Sequence, residues 1–191
     1  SDVQRRQMTT ILQKNVFNIA LNGNFDDCQN LVKKMFADQS FLNGKKMVAI
    51  NSINFARIMA QIVYYFYSAL RLGCSQKTAV SFSVPSGNFG DIYAGFLAKR
   101  MGLNINKLII ATNDNDILVR FIDNNDYSKK DMIETMSPSM NIQVASNFER
   151  LIFDSLKAHK QENKTPELIN NFSRTGSLEM PSEVHQSIKK D

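Results

Sequence analysis

The sequence predicts an α/β fold, a parallel sheet flanked by helices on both faces. Short apolar runs alternate with longer stretches of helical periodicity four times in succession. Such alternation places strands side by side and parallel, with the intervening helices packed on the faces. Glycines close two of the helical stretches, where a left-handed residue ends a helix without steric cost. With 43% hydrophobic and 21% charged residues among 191, the chain has the balance of a packed domain rather than a disordered one.

Each element follows in turn. "NVFNIAL" (15–21) reads as a strand. The next stretch, "NGNFDDCQNLVKKMFAD", reads as a helix capped by Asn24, with Asp26 and Asp27 favourably placed at its positive end. "KKMVAI" (45–50) reads as a short buried strand, and "NSINFARIMAQIVYYFYSALRLG" as one long helix closed by Gly73. The consecutive aromatics Tyr64, Tyr65, Phe66 and Tyr67 occupy every face of that helix and report burial rather than a binding box. "AVSFSV" (79–84) is the third strand, followed by the helix "FGDIYAGFLAKRMG" closed by Gly102. "KLIIAT" (107–112) is the fourth, followed by "NDNDILVRFIDNN", a helix capped by Asn113 with Asp116 three residues on. Beyond Asn125 the alternation lapses. A loop feeds a helix from about Ser146, and short polar helices flank a turn at Gly176.

Several function classes are disfavoured. The net charge of +5 is scattered in pairs such as Lys33-Lys34 and Lys129-Lys130 and never builds a basic stripe, which argues against nucleic-acid binding. Cys28 and Cys74 stand far apart without a metal or disulfide motif, and His159 and His185 have no ligand-spaced neighbours. The most apolar segment, Ile58 to Leu70, is too short to span a membrane and contains Gln61. The first residues, "SDVQRRQMTT", lack an apolar signal core. A soluble protein of the reducing cytoplasm is the expectation.

Ligands of parallel sheets bind beyond the carboxyl ends of the strands. "NGN", "NSIN", "PSGNFG" and "TNDND" fall at those ends. The sharpest is "VPSGNFGDIYAGF" (84–96), where Gly87 and Gly90 separate a strand from a helix. Two readings stand. The loop is an anion cradle, in which backbone amides and the positive helix end receive a phosphate; or it is a tight turn whose glycines permit positive φ. Neither an NTPase P-loop nor a dinucleotide fingerprint fits the spacing. Asp91 weighs against the cradle, since a carboxylate about 4 Å from a phosphate costs roughly 4 kcal/mol at an effective dielectric of about 20; a cradle requires its side chain to turn away.

"NSINFARIMAQIVYYFY", "VPSGNFGDIYAGFLAKRMGL", "KLIIATNDNDIL" and "SPSMNIQVASNFERLIF" together resemble the threonine synthase family, as do "SDVQRRQMTT" and "GNFDDCQNLVKKMF". The resemblance runs in order over residues 1 to about 155. It implies the tryptophan synthase β-like fold of pyridoxal-phosphate enzymes (fold type II). It also implies conversion of O-phospho-L-homoserine and water into L-threonine and phosphate. Ser86, Gly87, Asn88, Phe89 and Gly90 would then hold the phosphate of pyridoxal 5'-phosphate. Residues 1–155 would form the α/β portion that binds this phosphate, and 156–191 a helical extension of the same domain.

Asn51, Ser52 and Asn54 open the long helix, with Arg57 one turn in. They read either as receivers of the substrate's phosphate or carboxylate or as a helix cap followed by a solvated arginine. The family's Schiff-base lysine lies in a Phe-Lys-Asp motif that does not occur here. No catalytic residue is therefore assigned. The chain reads as an internal fragment that needs the rest of its polypeptide and is inactive alone. The alternatives are a non-catalytic phosphate- or cofactor-binding homologue, or another phospholyase of the same cofactor family.

Overall fold

The computed structural model describes residues 2–23, 25–50 and 53–190. The chain forms two compact units, Ser1–Val48 and Ala49–Asp191. The first contains helices α1 (Asp2–Met8), α2 (Phe25–Ala37) and α3 (Gln39–Leu42). Asp38 caps α3, its Oδ1 accepting from the amides of Ser40 (2.9 Å) and Phe41 (3.0 Å). The expected cap of α2, Asn24, lies outside the described residues.

In the second unit the long helix α4 (Phe55–Arg71) is followed by β1 (Val80–Pro85), α5 (Gly90–Arg100), β2 (Ile105–Ala111) and α6 (Ile117–Asn124). Next come β3 (Tyr127–Ser128), α7 (Phe148–Ala158), α8 (Thr165–Thr175), β4 (Ser177–Leu178) and α9 (Ser182–Lys190). The strands β1 and β2 pair in parallel, with Val84 opposite Ile110 and Pro85 opposite Ala111. α4 ends as expected: Gly73 takes φ +79°, and Gly102, after α5, takes φ +102°. α7 runs continuously across residue 155.

Two expected strands do not form. Residues 15–21 and 45–50 are irregular, because a strand satisfies its amides only by pairing and no described segment pairs with them. Their apolar side chains have no surface to bury against: Phe17 is 81% and Ile50 84% exposed. The helix expected from Asn113 begins instead at Ile117. The Asn113 side chain folds back to accept the Asn115 amide at 3.0 Å, an Asx turn that holds the chain out of the helix for one more turn.

The core of the second unit is aromatic. Phe148 stacks on Tyr127 (centroids 4.5 Å apart) and meets the edges of Phe121 (4.7 Å) and Phe89 (5.4 Å). α4 and α5 lie so close that a Cβ on Gly95 would approach the Tyr65 ring to 2.6 Å. Tyr93 on α5 donates to Asp154 on α7 at 2.6 Å, and Arg100 reaches the same carboxylate at 3.2 Å. These contacts fix α5, and with it the loop that precedes it.

Candidate anion site at the start of helix α5

The segment 85–89 turns directly from β1 into α5. Ser86 extends the strand pairing, its amide donating to the Ala111 carbonyl at 2.8 Å, while its buried hydroxyl donates to the Val84 carbonyl at 2.8 Å. The left-handed residue is Phe89, at φ 63° and ψ 9°; neither Gly87 nor Gly90 has positive φ. A non-glycine residue there costs about 1–2 kcal/mol. Burying the Phe89 ring beside Phe148 returns roughly 1.5–3 kcal/mol, so packing sustains the turn. The glycines are thus not there for φ. A Cβ on Gly87 would lie 3.6 Å from the Ser139 carbonyl oxygen. One on Gly90 would lie 3.4 Å from Asn147 Nδ2 and 3.7 Å from Gln61 Oε1.

The first helical hydrogen bond of α5 runs from the Tyr93 amide to the Phe89 carbonyl at 3.2 Å. The amides of Gly90, Asp91 and Ile92 precede it and have no acceptor within the helix. They border a cavity of about 160 Å³ lined by residues 85–92 together with Arg57 and Gln61 of α4. Positive helix end, free amides and a guanidinium therefore converge on one small polar space, an arrangement that suits an anion. Asn88 Oδ1 is buried without a partner. A half-turn of its amide exchanges that acceptor for the Nδ2 donor, which is the orientation a phosphate, offering only acceptors, requires.

Of the residues expected to bind, Ser86, Gly87, Asn88, Phe89, Gly90 and Arg57 border this cavity together. Asn54 caps α4, its Oδ1 accepting from the Ala56 amide (3.0 Å) and its Nδ2 donating to the Ala49 carbonyl (2.8 Å), so both ends are engaged by backbone. Asn51 and Ser52 lie outside the described residues. Asp91 borders the anion cavity and also a second one lined by Tyr64, Tyr65 and Phe82. Burial pushes its carboxyl above the usual carboxylate range, opposed by the neighbouring Tyr65 hydroxyl, which itself donates to the Asp91 backbone carbonyl at 3.0 Å.

The sequence reading missed Gln61 and Asn147. Gln61 interrupts an apolar helix, a signal that a polar group is wanted at that position. Asn147 is fully buried, and its backbone amide and Nδ2 both donate to the Asn88 carbonyl at 3.1 Å. It lies 59 residues from its partner, so no local pattern marks it. No cluster of metal-ligating side chains and no helix long and apolar enough to cross a membrane occurs among the described residues.

No family model matches the chain. Along its whole length it is 57% identical to a threonine synthase of Pseudomonas aeruginosa and covers 40% of that protein. A structure of pyridoxal-phosphate-bound threonine synthase from Brucella melitensis superposes over the whole chain with a TM-score of 0.85 at 48% identity. Yeast threonine synthase does so with a TM-score of 0.84 at 40% identity. The chain spans 40% and 39% of those two structures.

Proposed function

We propose, for a chain that belongs with the threonine synthases by sequence along its whole length and by fold, that it forms the portion of such an enzyme that holds the phosphate of pyridoxal 5'-phosphate and part of the substrate site. The whole enzyme converts O-phospho-L-homoserine and water into L-threonine and phosphate. The observation that carries this reading is the convergence of residues 85–92 with Arg57 and Gln61 on one polar cavity.

The chain's own groups act there by position and charge. The amides at the start of α5 donate to phosphate oxygens, and the helix dipole adds favourable potential without any proton transfer. Arg57, exposed at the cavity mouth, receives a second anionic group of the substrate. Asn54, by capping α4, fixes where that guanidinium starts from. Pyridoxal phosphate, when bound, supplies the electron sink for charge that develops beside the substrate's amino-bearing carbon. The Schiff-base lysine comes from the remainder of the polypeptide, so this chain alone is inactive. Its two free thiols suit a reducing cytoplasm.

The test is phosphate release by the complete polypeptide, comparing O-phospho-L-homoserine with O-phosphothreonine and O-acetylserine. Selective release from O-phospho-L-homoserine, with threonine as co-product, is expected. Preference for either other substrate assigns a different reaction. Borohydride reduction of this chain alone with pyridoxal phosphate is expected to leave no stoichiometric lysine adduct by intact mass.

A further inference from the structure

Asn147 occupies the cap position of α7 yet makes no capping bond with its side chain. A cap of that kind is worth about 1 kcal/mol, and the residue forgoes it. Its Nδ2 is spent instead on the Asn88 carbonyl, and its Oδ1 accepts from Arg150 Nε at 3.0 Å. The same guanidinium donates through its second terminal nitrogen to the Ile53 carbonyl at 3.0 Å and lies 5.3 Å over the Phe55 ring. One chain of contacts thus runs from the loop, through α7, to the first residues of α4. A trans peptide sets its N–H opposite its C=O. Holding the Asn88 carbonyl against Asn147 therefore turns the Phe89 N–H to the other side of that peptide.

We infer that Arg150 is a positioning residue. Through Asn147 it fixes the Asn88–Phe89 peptide plane at the end of the phosphate loop, and through Ile53 it fixes the start of the helix that carries Arg57 and Gln61. The two anion-binding elements are thereby held at one separation. Arginine suits this task because its planar fork donates in two directions at once, which an ammonium on a flexible stem does not do at fixed geometry. The inference rests on the reading of residues 86–90 as a phosphate cradle.

The experiment uses the complete polypeptide and equilibrium dialysis with two probes, pyridoxal 5'-phosphate and pyridoxal, which differ only in the phosphate. Their affinity ratio isolates the cradle. In Arg150→Met the ratio is expected to fall about tenfold, with pyridoxal affinity unchanged. Arg150→Lys keeps the stem and the charge, folds more surely, and is expected to show the same loss. Amide hydrogen exchange at residues 89–92 should quicken in both variants. If unmodified protein binds the two probes equally, the cradle reading itself falls. If it discriminates but both variants discriminate equally well, the cradle stands and the positioning role is wrong. Full recovery in Arg150→Lys would reduce Arg150 to a charge and likewise overturn the inference.

Discussion

The two loops that leave the parallel strands β1 and β2 at their carboxyl ends use polar residues in opposite ways. After β2, the side chains tie the loop to the segment 133–141. Asn113 Nδ2 is shared among Thr135 Oγ1 (2.8 Å), Asn141 Oδ1 (2.8 Å) and the Ser137 hydroxyl (3.2 Å), while its Oδ1 accepts from Asn115. Asn115 in turn exchanges bonds with both the amide and the carbonyl of Ile133. After β1, in the register that pairs Pro85 with Ala111, Gly87 stands in the place of Asn113 and Phe89 in that of Asn115, and the amides at the start of α5 keep no acceptor within the helix. Position beyond a strand end is therefore not enough to make a ligand site. Both following helices start without a side-chain cap, so what differs is whether side chains already fill the space beyond the strand end with bonds to one another.

The largest expected effect tests the closed loop. Asn113→Ala removes a partner from several half-buried groups at once, which should cost about 1–3 kcal/mol of stability. The affinity ratio of pyridoxal phosphate to pyridoxal should not move. Urea unfolding and equilibrium dialysis on the complete polypeptide read the two quantities separately. A fall in the ratio comparable to the loss of stability would show that the two loops act as one unit, and the contrast drawn between them would fail.

The next test addresses the open loop. Gly90→Ala places a methyl group in ordinary contact with Asn147 and Gln61, at 3.4 and 3.7 Å, so the fold accepts it. Alanine is the better helix former by about 1 kcal/mol, so stability should hold or rise. The methyl group nevertheless narrows the cavity wall, and the affinity ratio should drop about tenfold, equivalent to roughly 1.4 kcal/mol. Stability and binding thus move in opposite directions here. A stability loss of several kcal/mol would show that the glycine is required by packing instead.

How far these features could be read in advance follows from the range of the forces involved. β1, α5, β2 and the close of α4 at Gly73 were legible because periodicity and breakers act within a few residues, whereas the start of α4 at Asn54 was expected earlier, at Asn51. The strands expected at 15–21 and 45–50 were misread for the same reason. An apolar run announces that a segment can be buried, whereas a strand also needs a partner, which is not a local property. The start of α6 moved because Asn113 joins residues 22 to 28 positions away. The glycine loop was legible as a feature but not in its detail, since the left-handed residue is Phe89, held by a ring contact with Phe148 across the core. Asn147 and Arg150 were illegible altogether, because only the folded chain brings α7 to the loop.

The smallest effect concerns the one feature of the open loop that works against an anion. Asp91 borders the cavity with its carboxyl pushed up by burial, so the folded state favours the protonated form more than the unfolded chain does. This group favours folding most at pH values below the unfolded aspartate range near 4, and that contribution is lost as pH rises through the elevated folded value. At neutral pH the ionised carboxylate is both poorly solvated and on the border of the cavity proposed for the phosphate. Asp91→Asn should therefore raise stability slightly at neutral pH, with the advantage shrinking as pH falls through the acid range. It should also tighten phosphate-dependent binding by about two- to fivefold, a modest gain because solvent screens a half-exposed charge. Urea midpoints at a series of pH values, with dialysis at neutral pH, measure both. Weaker binding in Asp91→Asn would mean that the carboxylate assists the ligand, and the site would then have to be redrawn around a positively charged group rather than a phosphate.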